Sequence, residues 1–411
     1  MFSLSCFWDW IHQVIHIILF KFLSCYHYRT TFIFTPFHVP TTTTDHPVIP
    51  DEIMTDILLR LPIKTLSKFM CVSKSWNQLI YSPYFVNTHM KLNSHHRVLF
   101  RGRNGDFKFC SLLPLFNRQQ TVEELIDVDS PTLEEFIVGS ANGLICLVNL
   151  KFEAYIWNPT ISKSKKLLKS TWGSFSTKYG FGYDELHDDY KAVFVDYYFP
   201  SFHNVVNIYS LRTDSWTTLD DQLQGIYLVN NSGIFVNGKL YWLSSSTLTY
   251  YIVCRIISFD LADETWGSME LPIYGEATHH FRLGVVGSDL SLLHACQVGD
   301  TTSDVWSLND CGLWTKLFTI KNPLTNDLSI VMCVSPLETF SIRFGQSNNE
   351  DLLFFLHSVI MMCDGLSRQL EQHIDDVEGY SPLEVYEESL INPLTISGQG
   401  PRIRETSQSL S

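Results

Sequence analysis

The chain has 411 residues, of which 45% are hydrophobic, 14% aromatic and only 18% charged. Few charges with many aromatics exclude long disorder, coiled coil and collagen, and favour β-rich structure in roughly two to three domains. A net charge of −14 removes any general attraction to nucleic acid or anionic lipid.

Residues 1–45 read as a weakly structured extension ending in the Thr41–Thr44 linker. The uncharged stretch from Trp10 to Phe20 is shorter than the ~20 residues a membrane span needs. The early sequence lacks the basic opening of a secretory signal, so no membrane anchoring is expected. The ten cysteines include no C-x-x-C pair, and most sit in apolar runs such as Leu144-Ile145-Cys146-Leu147. Thiols in such settings behave as small hydrophobes, which points to a reducing compartment, the cytoplasm and/or the nucleus.

Residues 46–92 carry helical periodicity. Pro50, Asp51 and Glu52 open an amphipathic helix with Ile53, Ile57, Leu58 and Leu61 on one face, and Pro62 stops it. A second helical pattern runs through Leu66, Phe69, Val72, Trp76, Leu79 and Ile80. Ser82-Pro83 starts a third helix, ending near His89. Three short helices bury little by themselves, so the module is either part of a larger core or leaves a face for a partner helix.

This segment resembles the F-box family. The matching residues are Ile49-Pro50-Asp51-Glu52-Ile53, Ile57-Leu58-Leu59-Arg60-Leu61-Pro62, Cys71-Val72-Ser73-Lys74-Ser75-Trp76, Leu79-Ile80 and Ser82-Pro83-Tyr84-Phe85. Ile49 stands where the motif has Leu. The resemblance implies that Ile49, Pro50, Ile53, Ile57, Leu58, Leu61, Pro62 and Leu66 face a Skp-family adaptor. It assigns Phe69, Val72, Trp76 and Ile80 to the structural core.

From Val98 onward short apolar or alternating runs recur, among them Leu144–Leu147, Ala154–Trp157, Ala192–Val195, Lys239–Leu243 and Arg255–Phe259. Turn signals such as Asn142-Gly143, Asn158-Pro159 and Asn237-Gly238 separate them, which indicates an all-β domain. The stretch Tyr209–Trp216 is echoed at Phe259–Trp266, and Trp306-Ser307-Leu308 leading to Trp314 is a further variant. Trp216 and Trp266 are 50 residues apart, and Trp266 and Trp314 are 48 apart. Such periods point to propeller blades, about six over this length, with a pair of β-sandwiches as the alternative. There is no Gly-Gly dipeptide, so the usual kelch signature is missing.

Residues 96–393 are similar to the F-box-associated, kelch-related domain of plant F-box proteins. The likeness is carried by Gly139–Cys146, Ile156–Thr160, Tyr179–Asp184, Val236–Leu243, Ile257–Leu261, Trp314–Ile320 and Val385–Leu390. The fold class implied is a small all-α F-box module followed by an irregular, kelch-like β-propeller, with a flexible tail over 394–411. The function implied is that of the substrate-recognition subunit of a Skp–cullin–F-box E3 ubiquitin ligase. Its partners would be the adaptor, through it a cullin–RING ligase, and an unidentified protein target. A ligase-independent binding scaffold with a non-functional F-box is the alternative.

The chain contains no G-x-x-x-x-G-K-[ST], H-E-x-x-H or G-x-S-x-G motif, so no catalytic, cofactor or metal site is expected. Gly180-Phe181-Gly182 lacks the third glycine of a dinucleotide loop. Adjacent pairs such as His95-His96 and His279-His280 point apart on a strand, which is poor metal geometry. Asp188-Asp189 and Asp220-Asp221 read as turn carboxylates, and the acidic stretch Asp375, Asp376, Glu378 as solvated surface.

Overall fold

The computed structural model describes residues 51–93, 95–102, 104–112, 125–132, 135–168, 177–198, 201, 203–245, 255–272, 280–295, 302–309, 311–321, 340–344, 352–356, 359–363, 370–374 and 380–396. The expected N-terminal extension, Ile49, Pro50, His279, the acidic stretch at 375–378 and residues 397–411 lie outside them. The chain divides into two compact units between Asn93 and Ser94.

The first unit holds four described helices: α1 (Asp51–Leu59), α2 (Ile63–Phe69), α3 (Lys74–Ile80) and α4 (Pro83–Leu92). Asp51 and Glu52 sit at the positive end of the α1 dipole, and the i, i+4 pair Asp56–Arg60 closes at 3.0 Å on its exposed side. The single helix expected across Leu66–Ile80 is in fact two. The chain leaves α2 at Met70, and the Ser73 hydroxyl accepts the Trp76 N–H at 3.1 Å, starting α3 afresh. Ser82 caps α4 in the same way through Phe85 N, with Pro83 in the first turn. α4 runs one turn beyond the expected end at His89 because its last residues carry hydrogen bonds. His89 Nε2 meets Leu61 O at 2.9 Å, and Asn93 Nδ2 donates to Leu59 O at 2.7 Å. These contacts satisfy carbonyls that the end of α1 would otherwise leave open.

The second unit is all-β. β1 (His96–Gly102), β2 (Phe107–Ser111) and β3 (Ile126–Val128) form one meander. β4 (Glu135–Ala141), β5 (Leu144–Asn149), β6 (Ala154–Asn158) and β7 (Lys163–Leu167) form the second sheet. The third contains β8 (Lys178–Asp184), β9 (Asp189–Tyr198), β10 (His203–Ser210) and β11 (Ser215–Asp220). In the fourth, β12 (Tyr227–Leu228) and β13 (Ile234–Val236) both pair with β14 (Lys239–Ser245), followed by β15 (Arg255–Asp260) and β16 (Thr265–Met269).

The fifth sheet has eight strands. Its first meander is β17 (His280–Val286), β18 (Asp289–Ala295), β19 (Thr302–Leu308) and β20 (Trp314–Lys321). Its second is β21 (Phe340–Phe344), β22 (Leu352–Leu356), β23 (Val359–Cys363) and β24 (Leu370–Ile374). β17 and β21 pair in parallel from Gly284↔Phe340 to Val286↔Ile342, fusing the two meanders edge to edge. Finally β25 (Tyr380–Glu387) returns to pair with β1, so the C-terminal strand completes the N-terminal sheet.

The five sheets are the blades of a β-propeller. The expected count of about six corresponds to the meanders, two of which share one sheet. Apolar seams join successive blades. Val193, Tyr197, Ile208, Trp242 and Phe259 fill the seam between the third and fourth sheets. Leu243, Ile256, Phe281 and Leu292 fill the next. Val98, Phe100 and Cys110 of the first sheet pack with Leu353, Ile360 and Met362 of the eight-stranded sheet, which closes the ring.

Two local features make this packing possible. Asn142-Gly143 and Asn237-Gly238 form two-residue turns with φ of +48°/+82° and +47°/+77°, the conformation such hairpins demand. In β8, a Cβ at Gly180 would stand 2.6 Å from Leu240 Cδ1 and 2.9 Å from Trp242 Cζ2. The Gly180-Phe181-Gly182 sequence therefore lets the next blade's aromatic core approach the β8 backbone.

Candidate functional site

The helical module offers the first candidate surface. Of the residues assigned to adaptor contact, Ile53 is half exposed (50%) and Pro62 is exposed, while Ile57 and Leu61 are partly covered. Leu58 (1%) and Leu66 (0%) are buried. With Leu59, Ile63, Met70, Ile80, Phe85 and Val86 they are buried in the module. An apolar helical stripe can span more than one face, so residues inside it need not share a role. The residues assigned to the core differ among themselves. Ile80 is fully buried, whereas Phe69, Val72 and Trp76 are only partly so, and the Phe69 and Trp76 rings meet edge to face at 5.4 Å.

Sequence reasoning missed two exposed apolar residues on α4, Tyr84 and Leu92. Their i, i+8 spacing places them on one face, a signal the helical period contains. It also missed His89, a buried polar residue bonded to the end of α1.

The propeller offers the second. Its buried polar groups are used between strands and blades. Asn158, fully buried at the end of β6, donates from Nδ2 to Ser389 O at 3.0 Å, Ser389 Oγ at 3.1 Å and Ile391 O at 2.8 Å. Its Oδ1 accepts Thr160 N at 2.9 Å. One amide thus clamps the segment after β25 onto the second blade. Lys191 Nζ lies 3.2 Å from Asp184 and 2.9 Å from Glu264, tying the third blade to the fourth. Glu388 holds Arg97 Nε at 3.0 Å.

Lys178 is buried at the start of β8. It donates to Val229 O at 3.0 Å and Asn231 Oδ1 at 3.1 Å, with the Tyr227 ring 4.9 Å from its ammonium. Burial pushes its amine down to about 8. Burial likewise raises the Cys146 thiol and Asp189 above their ordinary values, so both are held toward the neutral form. A thiol shifted in that direction is a poor nucleophile.

The repeated tryptophans have a common placement. Trp216, Trp266 and Trp314 lie on β11, β16 and β20, the outermost strands of their meanders. Trp216 Nε1 donates to Leu168 O and Trp314 Nε1 to Glu270 O, each reaching the exit of the preceding blade. Among the described residues no helix is long and apolar enough to cross a membrane, and no group of three or more His, Cys, Asp or Glu could hold a metal ion.

Comparison with known proteins matches both units. A family model described as the F-box domain matches residues 48–88, and one described as the F-box associated beta propeller domain matches residues 106–391. The chain is 30% identical over 297 residues to an F-box/kelch-repeat protein of Arabidopsis thaliana, covering 66% of this chain and 79% of that protein. It is 29% identical over 311 residues to F-box protein CPR1 of the same plant, covering 67% and 73%. With an F-box/WD-40 repeat-containing protein of Arabidopsis it shares 27% identity over 326 residues, covering 74% and 75%.

Proposed function

The chain belongs to the F-box proteins that carry an F-box-associated β-propeller, and from that premise we propose that it is the substrate-recognition subunit of a Skp–cullin–F-box E3 ubiquitin ligase. One observation carries the reading: a helical F-box with exposed and half-exposed apolar residues precedes a propeller in a single chain. In this reading Ile53, Ile57, Leu61 and Pro62 dock a Skp-family adaptor, and the adaptor links the chain to a cullin–RING core. Ile49 and Pro50, which lie outside the described residues, are assigned to the same contact by the family resemblance.

The propeller holds a target protein. Tethering converts ubiquitin transfer from a bimolecular encounter into one within a complex, so the target lysine meets the charged conjugating enzyme at raised effective concentration. That work needs no catalytic residue in this chain. Buried thiols at Cys110, Cys146 and Cys363 suit a reducing compartment, and we place the protein in the cytoplasm or the nucleus.

The test is co-purification of the full chain with a Skp-family adaptor. Binding is expected for the unaltered chain and lost in Ile57→Asp/Leu61→Asp. Ile53→Asp alters a half-exposed side chain and leaves the core intact, so its weaker binding separates loss of contact from loss of fold. Adaptor binding that survives all three changes overturns the reading.

A further inference from the structure

Ile53, Ile57 and Leu61 recur every fourth residue along α1 and the turn that follows it. At a helical rise they make an apolar stripe about 12 Å long. Ile53 is half exposed, Ile57 and Leu61 are partly covered, and Pro62 next to them is exposed. Leu92, 62% exposed, lies on α4 between His89 and Asn93. His89 Nε2 meets Leu61 O at 2.9 Å and Asn93 Nδ2 donates to Leu59 O at 2.7 Å. These two bonds fix the last turn of α4 against the end of α1, so Leu92 is held near the end of the stripe.

Residues 1–50, which lead into α1, lie outside the described residues, but their sequence supplies a matching apolar seam. Trp8, Ile11, Ile15, Ile18 and Phe22 are spaced 3, 4, 3 and 4 positions apart, the period of a helix with one apolar seam. Asp9, His12, Gln13 and His16 group away from that seam, and Asp9 and Lys21 are the only charges between Trp8 and Leu23. A stretch so apolar gains by covering its seam, and it is too short to span a membrane. Between Phe22 and Asp51 lie 28 residues. A flexible tether of that length has an average span of about 30 Å, and it holds the segment near α1 at an effective concentration on the order of 1 mM. A free ligand has no such advantage over a segment of the same chain.

We propose that residues 8–22 dock through this seam onto the stripe of Ile53, Ile57, Leu61 and Leu92, and so cover the surface that the adaptor would use. An amphipathic helix laid on an apolar groove is a common recognition mode, here within one chain. The adaptor then binds only the fraction of chains in which the segment is displaced. This consequence rests on the adaptor reading above. The docking itself does not, and it is measured with no adaptor present.

Hydrogen exchange of the full chain, read by mass spectrometry, tests the docking. Amides of residues 8–22 are expected to exchange about tenfold or more slowly than in a free peptide of the same sequence. Ile53→Asp/Leu92→Asp, which alters exposed side chains and leaves the module's buried residues in place, is expected to abolish that protection. Ile11→Asp/Ile15→Asp/Ile18→Asp should in turn speed exchange of residues 53–61, with α3 and the propeller strands unchanged. In a separate titration with a Skp-family adaptor, the triple variant is expected to bind about fivefold or more tightly than the unaltered chain. Three results overturn the docking: unprotected residues 8–22 in the unaltered chain, protection that survives Ile53→Asp/Leu92→Asp, or protection lost on dilution as a dimer dissociates. Equal adaptor affinity of the triple variant and the unaltered chain overturns the competition. If the adaptor binds neither chain, the adaptor reading fails and the exchange result still decides the docking.

Discussion

Replacing Asn158 by alanine tests how the segment after β25 is held to the second blade. The side chain is fully buried, its Nδ2 sits 2.8–3.1 Å from three acceptors and its Oδ1 accepts one backbone N–H. An amide has two N–H bonds, so the three acceptors share them. Truncation leaves the Ser389 and Ile391 carbonyls and Thr160 N without these partners. A buried group left without its partner costs about 1–3 kcal/mol, and some relaxation is expected, so about 3–5 kcal/mol is the reasoned loss. Unfolding entropy of about 2.1 cal/mol/K per residue over about 300 residues gives about 0.6 kcal/mol/K, and hence a Tm lower by about 5–8 °C. Thermal unfolding followed by tryptophan fluorescence measures this shift, and hydrogen exchange locates it. Amides of residues 388–396 should lose protection before those of the central strands. A Tm shift under about 1 °C, or unchanged protection of that segment, would refute the clamp.

Three further perturbations probe the packing and the buried charge. Gly180→Ala places a methyl against Leu240 and Trp242, and is expected to cost about 1–3 kcal/mol, read as a Tm lower by about 2–5 °C. Trp314→Phe removes the indole bond to Glu270 O and should cost about 1 kcal/mol in a denaturant titration, whereas an unchanged midpoint assigns that bond no role. Lys178 titrates near 8 in the folded chain, below the 10.5 of an ordinary lysine. From pH 8 to 10.5 the unfolded chain therefore binds more protons at this site, so stability rises with pH. Between pH 8 and 9.5, stability relative to Lys178→Met should increase by roughly 1.5 kcal/mol, and a flat or falling difference contradicts the depressed value.

Features set by local chemistry were legible in the sequence. Asn142-Gly143 and Asn237-Gly238 marked their hairpins because few residues tolerate two successive positive φ values. The Trp216, Trp266 and Trp314 repeat marked blades because each occupies the outer strand of its meander. Features set by distant partners were not. The break between α2 and α3 turns on one hydroxyl, that of Ser73, within a stretch that keeps its apolar period. Leu58 shares the helical stripe of Ile57 and Leu61, Leu66 opens the apolar pattern of the next helix, and only the packed module separates core from surface. The pairing of β17 with β21 joins residues more than fifty positions apart and leaves no mark in either strand. Asn158 looked like a turn residue before a proline; its hold on Ser389 depends on the C-terminal strand returning beside it. At the candidate adaptor surface, the residue types were readable and their exposure was not.

Affinity of the full chain for a Skp-family adaptor tests the central claim most directly, measured by titration calorimetry with the unaltered chain and with Ile57→Asp/Leu61→Asp. Burying an aliphatic side chain contributes about 1.5–3 kcal/mol, and these two begin partly covered, so the double change should weaken binding about 100-fold or more. The propeller's thermal transition should stay where it was. An unaltered chain that does not bind the adaptor, or a double variant that binds as tightly as the original, would contradict the account.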